Sequence, residues 1–294
     1  MQIIDGKAIS ADIKKEIAAE VAGLIDKGQR APHMAAILVG HDGASETYVA
    51  SKEKNCHSVG ITSSVYRYEE NISEQALLEV ISFLNQDEEI DGFIVQLPLP
   101  KHMNVDRIIA AIDPDKDIDG FHPMNMGKLV LGEDTFIPAT PYGIMEMLKR
   151  SGIETDGKHC VVLGRSNIVG TPMALLMSRK NANANATVTL CHSRTQDLPE
   201  ITRQADILIA AIGHPGFVKA DMVKEGAVVV DVGIHRIEDS TKKNGFHLCG
   251  DVDYANVAPK CSAITPVPGG VGPMTIAGLL MNTMKAYRKH TAKK

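Results

Sequence analysis

The fold class is decided by the stretch Cys160-Val161-Val162-Leu163-Gly164-Arg165-Ser166-Asn167-Ile168-Val169-Gly170, which runs into Thr171-Pro172. The apolar run predicts a strand, the glycine-bounded segment a tight turn, and the residues after it a helix. We expect Thr171 to cap this helix and Pro172 to occupy its first position, where a missing N–H costs nothing.

A turn of this kind directs backbone N–H groups and the positive end of the helix dipole to one point, which suits a phosphate group. The usual dinucleotide fingerprint has glycine at its first, third and sixth positions. Here Ser166 stands third and the last glycine is seventh. The turn therefore predicts a nucleotide site, with an ordinary strand-to-helix turn as the alternative.

The next predicted strand, residues 187–190, bears on which nucleotide is bound. An NAD site normally has Asp or Glu near the end of this strand, to hold the ribose 2′-hydroxyl. This strand is instead followed by Cys191-His192-Ser193-Arg194-Thr195, and Arg165 adds a cation from the first turn. A hydroxyl and cations hold a 2′-phosphate, so the pattern predicts NADP. For Arg194 alone, a solvated polar turn is the alternative.

The rest of the chain alternates short apolar strands with helical segments, which predicts an α/β fold with parallel sheets. A length of 294 residues allows two domains. Strands are predicted at 34–39, 61–68, 92–95, 207–210, 228–232 and around Ile264; helices at 9–24, 45–59, 73–84, 104–112, 141–149 and 274–287; and a looser stretch at 113–136. We expect the last helix to pack on the first domain, because a terminal helix left alone buries little.

Composition excludes several classes of protein. The net charge is −5 and the pI about 6.1, so neither a nucleic-acid partner nor a membrane surface is expected. No apolar stretch is long enough to span a bilayer, and the first six residues do not have the pattern of a secretory signal. The five scattered cysteines form no C-x-x-C pair, which fits a reducing compartment. A cytoplasmic protein is expected.

No metal site is predicted. Asp115, Asp117 and Asp119 match the start of a calcium loop, but the twelfth position is Met126, where a bidentate Glu is required. His57, His102 and His122 show no i, i+4 pairing with each other or with a Cys, so a zinc site has little support. The G-x-x-x-x-G-K pattern at residues 152–158 lacks the following Ser or Thr and precedes its strand, so it is not a phosphate loop.

Four segments remain that a sheet alone does not explain. Tyr48 and Lys52 are four residues apart on one predicted helix, although such pairs are usually just solvated. Gln96 directly ends a predicted buried strand, where ligands bind in open α/β sheets. The loop 116–120 is either functional or a solvated acidic turn. Residues 265–273, rich in Pro and Gly, have too few side chains for a packed element, and their glycines permit close approach to a ligand.

These segments, together with the glycine-bounded turn, resemble those of a known family, the bifunctional methylenetetrahydrofolate dehydrogenase/methenyltetrahydrofolate cyclohydrolases of the bacterial, NADP-dependent type. The resemblance runs from about Ile4 to about Asn282. One departure is Ala139, where many members have Cys; the Lys, Gln and Asp positions are intact. The motifs that match, in order, are Tyr48 with Lys52, Gln96-Leu97-Pro98-Leu99-Pro100, Asp117-Ile118-Asp119-Gly120, the glycine-bounded turn 164–170, and residues 266–273.

The resemblance implies an oxidoreductase and hydrolase of one-carbon metabolism, a multifunctional enzyme of tetrahydrofolate interconversion that serves purine biosynthesis. A hydride would pass from 5,10-methylenetetrahydrofolate to NADP, and water would then open the methenyl product to 10-formyltetrahydrofolate. A lysine beside a site that gains positive charge must lose its proton readily, and burial favours the neutral amine.

The resemblance also implies roles for single residues. Lys52 would be the main catalytic group, Gln96 would hold it, Tyr48 would stack on the folate, and Asp119 would accept hydrogen bonds from the pterin. The other substrate-binding residues would be Leu97, Pro98, Pro268, Gly269, Gly270 and Val271. The residues in contact with NADP would be Gly164, Arg165, Ser166, Ser193 and Ile234.

The resemblance further implies two domains around a cleft: residues 1–138 with the C-terminal segment 274–294 as the folate-binding catalytic domain, and 139–273 as a Rossmann-type NADP domain. It implies a homodimer, which the residues themselves do not indicate. Two alternatives stay open. A shikimate-type NADP dehydrogenase would explain Lys52 but neither Gln96 with its prolines nor residues 266–273. A non-catalytic NADP-sensing module would leave the polar first domain unexplained.

Overall fold

The computed structural model describes residues 1–242 and 245–292, so the last two positions of the expected 274–294 segment lie outside the described residues. The chain divides into two units, each with its own parallel sheet. We call Met1–Ala11 with Thr140–Thr275 the six-stranded unit, and Asp12–Ala139 with Ile276–Lys294 the three-stranded unit.

The strands, in chain order, are β1 (Gln2–Ile3), β2 (His33–Val39), β3 (Thr62–Tyr68), β4 (Gly92–Val95), β5 (His159–Leu163), β6 (Thr187–Cys191), β7 (Ile207–Ala210), β8 (Val228–Asp231), β9 (His235–Glu238), β10 (Phe246–Cys249) and β11 (Ala263–Ile264). The α-helices are α1 (Gly6–Asp26), α2 (Gly43–Ser58), α3 (Glu74–Gln86), α4 (Val105–Ala110), α5 (Pro123–Leu131), α6 (Ala139–Arg150), α7 (Gly170–Ser178), α8 (Leu198–Thr202), α9 (Tyr254–Val257) and α10 (Val271–Thr291).

In the three-stranded unit, β2 lies at the centre of a parallel sheet with the order β3-β2-β4. Every residue of β2 after His33 is buried, because an apolar run in a parallel sheet is covered on both faces. On α3, Leu77, Ile81 and Leu84 recur at helical spacing and pack into the same core. The carboxyl ends of β2 and β4 lie side by side, since Ile37 is in register with Val95.

In the six-stranded unit, the strand order is β1-β11-β8-β7-β5-β6, and every neighbouring pair is parallel. The chain leaves β5 for β6 on one side and then crosses to β7 on the other, which makes β5 a topological switch point. Leu163 at the end of β5 is in register with both Cys191 and Ala210. The turns after these three strands therefore share one edge of the sheet, where open α/β folds bind ligands.

The second half of α10 packs on the three-stranded unit, which confirms the expectation for the last helix. Asn282 donates from Nδ2 to the backbone oxygens of Ile118 and Ile137, each at 2.8 Å. Further along, Arg288 pairs with Glu20 at 2.6 Å. None of the described helices is long and apolar enough to cross a membrane.

Helix α7 begins earlier than predicted. It starts at Gly170, so Thr171 and Pro172 lie inside its first turn. The Ser166 hydroxyl accepts hydrogen bonds from the backbone N–H groups of Val169 (3.2 Å) and Gly170 (3.4 Å). The prediction that Thr171 caps this helix was wrong, because Ser166 supplies the capping oxygen from within the turn.

Three further elements differ from the sequence-based expectation. The stretch 113–136, predicted to be loose, contains α5. Strands β9 and β10 form an antiparallel hairpin that was not predicted. The first domain was expected to begin at residue 1, whereas β1 pairs with β11 and Met1–Ala11 groups with the six-stranded unit.

Candidate active site

Helix α2 carries two of the predicted site residues on one face. The Asp42 carboxylate caps the helix by accepting a hydrogen bond from the backbone N–H of Ser45 at 2.8 Å. Tyr48 and Lys52 follow one turn apart, so both project from the same side of the helix. The Tyr48 side chain is large and 47% exposed, which leaves its ring face available to a flat ligand.

Lys52 and Gln96 meet at the carboxyl edge of the three-stranded sheet. Lys52 Nζ donates to Gln96 Oε1 at 3.1 Å. The Gln96 backbone N–H continues the sheet by donating to Ile37 O at 2.9 Å, and its Nε2 donates to Leu97 O at 2.7 Å. The amide is thus held at both ends, so its oxygen has a fixed direction toward the amine.

Asp119 belongs to the same site. Burial raises the pKa of the Asp119 carboxyl above its ordinary value, and the nearby positive charge of Lys52 opposes that shift. The structure therefore brings Lys52, Gln96 and Asp119 together. Leu97 and Pro98 follow Gln96 directly, joined by a cis peptide bond.

The loop that carries Asp119 is held by its neighbour Asp117, a buried carboxylate whose role the sequence analysis missed. Asp117 accepts hydrogen bonds from the backbone N–H groups of Gly120 (3.1 Å) and His122 (2.7 Å) and from Asn125 Nδ2 (2.9 Å). Burial raises the pKa of Asp117, and these donors oppose the shift. Gly120 has φ +74°, and a Cβ there would lie 2.7 Å from the backbone of residue 137, so the turn requires glycine.

The glycine-bounded turn of the six-stranded unit is built by close backbone contacts. Gly164 has φ +125°, and a Cβ there would lie 2.1 Å from Ala211 O. A Cβ at Gly170 would lie 1.9 Å from Gly164 O. Both glycines are therefore required by the fold of the turn. Arg165 and Ser166 lie between them with exposed side chains.

Ser193 lies in the neighbouring turn, after β6. The Gly164 N–H donates to Cys191 O at 2.9 Å, which ties the start of the first turn to the start of the second. In the second turn, His192 N–H donates to Thr195 Oγ1 at 2.9 Å, and the side chains of Ser193 and Arg194 are exposed. The two turns present cations and hydroxyl groups on one edge, and the four residues directly after β6, 192–195, include no Asp or Glu.

The remaining predicted residues follow β8 and β11 at this same edge. Ile234 comes just after β8 and is 49% exposed. Pro268, Gly269, Gly270 and Val271 follow β11, with a cis bond before Pro268. Gly269 O accepts a hydrogen bond from Lys7 N–H at 2.9 Å, and a Cβ at Gly6 would lie 1.9 Å from Gly270 O. The glycines of this segment thus also permit close packing on the start of α1.

Two buried carboxylates at this edge, Asp231 and Asp251, were not found from the sequence. Asp231 ends β8, and burial raises its pKa to about 6. Its oxygens accept hydrogen bonds from the N–H groups of Gly233 (3.0 Å), Asp251 (2.8 Å) and Val252 (3.0 Å). An acid at the end of the apolar run 228–230 was the available signal, but two of its three partners, Asp251 and Val252, are 20 and 21 residues away in the chain.

Models of one family match both parts of the chain. The catalytic domain of tetrahydrofolate dehydrogenase/cyclohydrolase matches residues 4–119, and the NAD(P)-binding domain of the same family matches residues 138–291. The bifunctional protein FolD of Phocaeicola vulgatus is 61% identical over 289 residues, which are 98% of this chain and 99% of that protein.

Solved structures agree with these matches. The bifunctional FolD of Campylobacter jejuni superposes with a TM-score of 0.92 at 49% identity, covering 98% of this chain and 99% of that one. The Trypanosoma brucei enzyme, solved in complex with NADP cofactor and inhibitor, has a TM-score of 0.92 at 38% identity and covers 98% of each chain. This chain therefore belongs to the tetrahydrofolate dehydrogenase/cyclohydrolase family.

Proposed function

We propose that the chain is a bifunctional enzyme: an NADP-dependent 5,10-methylenetetrahydrofolate dehydrogenase and a 5,10-methenyltetrahydrofolate cyclohydrolase. It oxidises the methylene substrate to the methenyl compound and hydrolyses that product to 10-formyltetrahydrofolate. The observation that carries the proposal is the 3.1 Å contact between Lys52 Nζ and Gln96 Oε1, beside Asp119. The family relatives described above, which are bifunctional proteins of this kind, support it.

Lys52 supplies the proton transfers of the hydrolysis. Water adds to the cationic methenyl carbon and loses a proton to the amine, so a C–O bond forms and the folate ring becomes neutral. The resulting ammonium then gives a proton to the departing ring nitrogen, which takes the electron pair of the breaking C–N bond, while the hydroxyl oxygen forms the C=O bond and releases its remaining proton to solvent, so the hydrolysis yields one proton overall. The formyl group stays on the other nitrogen. One amine serves both steps in turn.

Gln96 suits this chemistry because it is neutral. A carboxylate at the same place would favour the ammonium form of the lysine, whereas an amide oxygen accepts a hydrogen bond without a full ion pair. Since the other end of the amide is bound to Leu97 O at 2.7 Å, Gln96 orients the amine.

Asp119 and Tyr48 bind the substrate in this proposal. The edge of a pterin presents adjacent N–H donors, which a carboxylate accepts in a paired geometry. The Asp117 hydrogen bonds hold the loop so that the Asp119 carboxyl lies within the electrostatic reach of Lys52. The exposed ring of Tyr48 offers a stacking surface one helical turn before Lys52.

The six-stranded unit fits NADP. The backbone of the turn between Gly164 and Gly170 would receive the diphosphate at the start of α7, while Arg165 and Ser193 would hold the 2′-phosphate. Ser166 and Ile234 would complete the contacts. NADP, when bound, accepts the hydride from the methylene carbon. The residues named here bind and orient it, and alignment is most of what a hydride transfer needs from the protein.

The proposal includes the expected organisation. The three-stranded unit would carry the folate chemistry and the six-stranded unit the nucleotide, with Pro268, Gly269, Gly270 and Val271 as further substrate contacts. A homodimer and a cytoplasmic location are also proposed. The location is supported by the five cysteines, all of which are free thiols, as a reducing compartment would keep them.

The test is a coupled assay. The purified chain is mixed with 5,10-methylenetetrahydrofolate and NADP, and the absorbances of NADPH and of the methenyl compound are followed together. We expect NADPH to form and the methenyl compound to appear only transiently, because the second activity removes it. If the methenyl compound accumulates in the same amount as NADPH, the chain has the dehydrogenase activity but not the cyclohydrolase activity. Tight NADP binding without any NADPH formation would instead support a nucleotide-sensing module.

A further inference from the structure

A histidine–aspartate pair, His235 and Asp251, joins two turns at the carboxyl edge of the six-stranded sheet. Asp251 is fully buried. Its Oδ2 accepts hydrogen bonds from the backbone N–H groups of Ile212 (2.7 Å) and Gly213 (2.9 Å), in the turn after β7. Its Oδ1 lies 2.7 Å from His235 Nε2, at the end of the turn after β8. A carboxylate oxygen accepts, so His235 is the donor.

The turn after β8 rests directly on this carboxylate. A Cβ at Gly233 would lie 2.3 Å from Asp251 Oδ1, so the backbone there is in close contact with the acid. Gly233 N–H also donates to Asp231 Oδ1 at 3.0 Å. The turn is therefore held at one end by Asp231 and at the other by His235. Ile234 lies between these two fixed points, with its side chain 49% exposed.

The two turns belong to neighbouring strands. Ala210 at the end of β7 is in register with Asp231 at the end of β8, so the turns leave the sheet side by side. An exposed isoleucine next to a glycine has little of its own to fix its position. The position of Ile234 relative to the sheet thus depends on the hydrogen bond from His235 to the buried acid.

We propose that His235 is a positioning residue for NADP: through Asp251 it locks the turn after β8 to the turn after β7 and so fixes Ile234 at the nucleotide. This inference rests on the proposed function, since it takes Ile234 to be a contact of NADP. In this role His235 acts through Asp251 and the turn, and it takes no part in the chemical steps.

The test separates the two activities of one enzyme, because the dehydrogenase uses NADP and the cyclohydrolase does not. The variant His235→Ala should raise the KM for NADP about tenfold, the effect of losing one hydrogen bond to a charged group. Its cyclohydrolase kcat, measured on the methenyl substrate without NADP, should stay within about twofold of the wild type. The variant His235→Gln, which retains an N–H donor of similar reach, should recover most of the affinity for NADP.

The same hairpin offers a matched control. His247 Nδ1 lies 3.0 Å from Asp239 Oδ2, so it forms a second histidine–aspartate pair, here between β10 and the residue that follows β9. We expect His247→Ala to leave the KM for NADP unchanged. This control distinguishes a specific effect on the nucleotide from a general weakening of the hairpin.

An unchanged KM for NADP in His235→Ala would overturn the inference. A parallel loss of both activities, with a lower melting temperature and no recovery in His235→Gln, would also overturn it, since that result describes a residue needed only for folding. If the wild type shows no turnover, the proposed function fails instead. Calorimetric titration with NADP alone then still compares the affinities of the wild type and the three variants.

Discussion

The candidate site of the three-stranded unit is built from side chains, and that of the six-stranded unit is built mainly from backbone. In the three-stranded unit the site consists of reactive side chains, with the Lys52 amine held at 3.1 Å from the Gln96 amide and beside the Asp119 carboxyl. In the six-stranded unit it is mainly backbone, with Gly164 and Gly170 so close to neighbouring carbonyl groups that any Cβ would collide. Each unit nevertheless holds its site loops with a buried carboxylate, Asp117 in one and Asp231 in the other.

This difference follows from the chemistry that each unit is proposed to support. Hydrolysis needs a group that gains and loses a proton, and only a side chain can do so. Nucleotide binding needs N–H donors and a helix dipole, which the main chain supplies wherever glycine lets it approach. Substitutions in the three-stranded unit should therefore change the chemical steps. Substitutions in the six-stranded unit should change affinity for NADP or stability.

The largest effect is expected for Lys52→Met, which removes the amine. General acid–base catalysis contributes about 10²–10⁴-fold, so cyclohydrolase activity should fall by at least that factor. Hydride transfer depends mainly on alignment and should fall much less. Lys52→Arg should also lose cyclohydrolase activity, because a guanidinium does not lose its proton near neutral pH. Rates of both reactions are measured in separate assays.

Lys54→Met is the matched control, because Lys54 lies on the same helix with an exposed side chain. It should retain both activities. If the Lys52 variants hydrolyse the methenyl compound at the wild-type rate, the amine takes no part in the mechanism. The proposed contrast between side-chain chemistry in one unit and backbone binding in the other would then be wrong.

A second prediction concerns stability in the six-stranded unit. The Asp231 carboxyl, with a folded-state pKa of about 6, keeps its proton in the folded chain at pH values where the unfolded chain, with a pKa near 3.9, has lost it. The unfolded state then binds fewer protons, so the free energy of unfolding falls as pH rises from about 4 to about 6. The total contribution is about 3 kcal/mol, present below about pH 4 and lost above about pH 6.

Urea unfolding of the wild type and of Asp231→Asn, measured at intervals of pH, tests this slope. The difference in free energy between the two proteins should fall over that range and then stay level. Asp239→Asn provides a contrast of opposite sign, because hydrogen bonds from Thr241 lower the pKa of Asp239. If the difference in the free energy of unfolding between wild type and Asp231→Asn does not depend on pH, burial does not raise the pKa of the Asp231 carboxyl.

A third prediction tests substrate binding by Asp119. Loss of a charge-assisted hydrogen bond costs about 1.5–3 kcal/mol, so Asp119→Ala should raise the KM for folate roughly tenfold to a hundredfold in both reactions. Calorimetric binding of NADP should not change. The exposed residue Asp106 of α4 supplies the control variant, Asp106→Ala. Folate affinity at the wild-type level in Asp119→Ala would show that the Asp119 carboxyl does not bind the substrate.

Sequence reasoning succeeded where the signal is local. The apolar run of β2 predicts a buried strand whatever surrounds it, and the four-residue spacing of Tyr48 and Lys52 predicts a shared helix face. It failed where several local caps compete. Thr171 looked like the cap of α7, but the Ser166 hydroxyl reaches the free N–H groups first. Helix α5 was missed because it is short and is capped by His122, which is not a typical capping residue.

The contacts that hold the site loops in place could not be predicted from local sequence patterns. Strand β1 has two exposed residues and no pattern, and it forms only by pairing with β11, some 260 positions away. The His235–Asp251 pair joins residues 16 positions apart in the chain, and the buried acid also accepts from a third segment, at Ile212. Such contacts follow from the fold, so a sequence shows the acids but not what they hold.

The smallest effect is expected for Arg165→Ala, which tests whether a side chain adds selectivity to a site otherwise built from backbone. Arg165 is exposed, so solvent screens its charge and its contact with a 2′-phosphate should be worth about 1.5 kcal/mol, the lower end for a charged hydrogen bond. The KM for NADP should therefore rise about tenfold, while the KM for NAD, which has no such phosphate, serves as the internal control and should change little. The loss should also be smaller at high salt, because salt screens the wild-type contact as well. An equal loss with both nucleotides would assign the phosphate to Ser193 and the backbone alone.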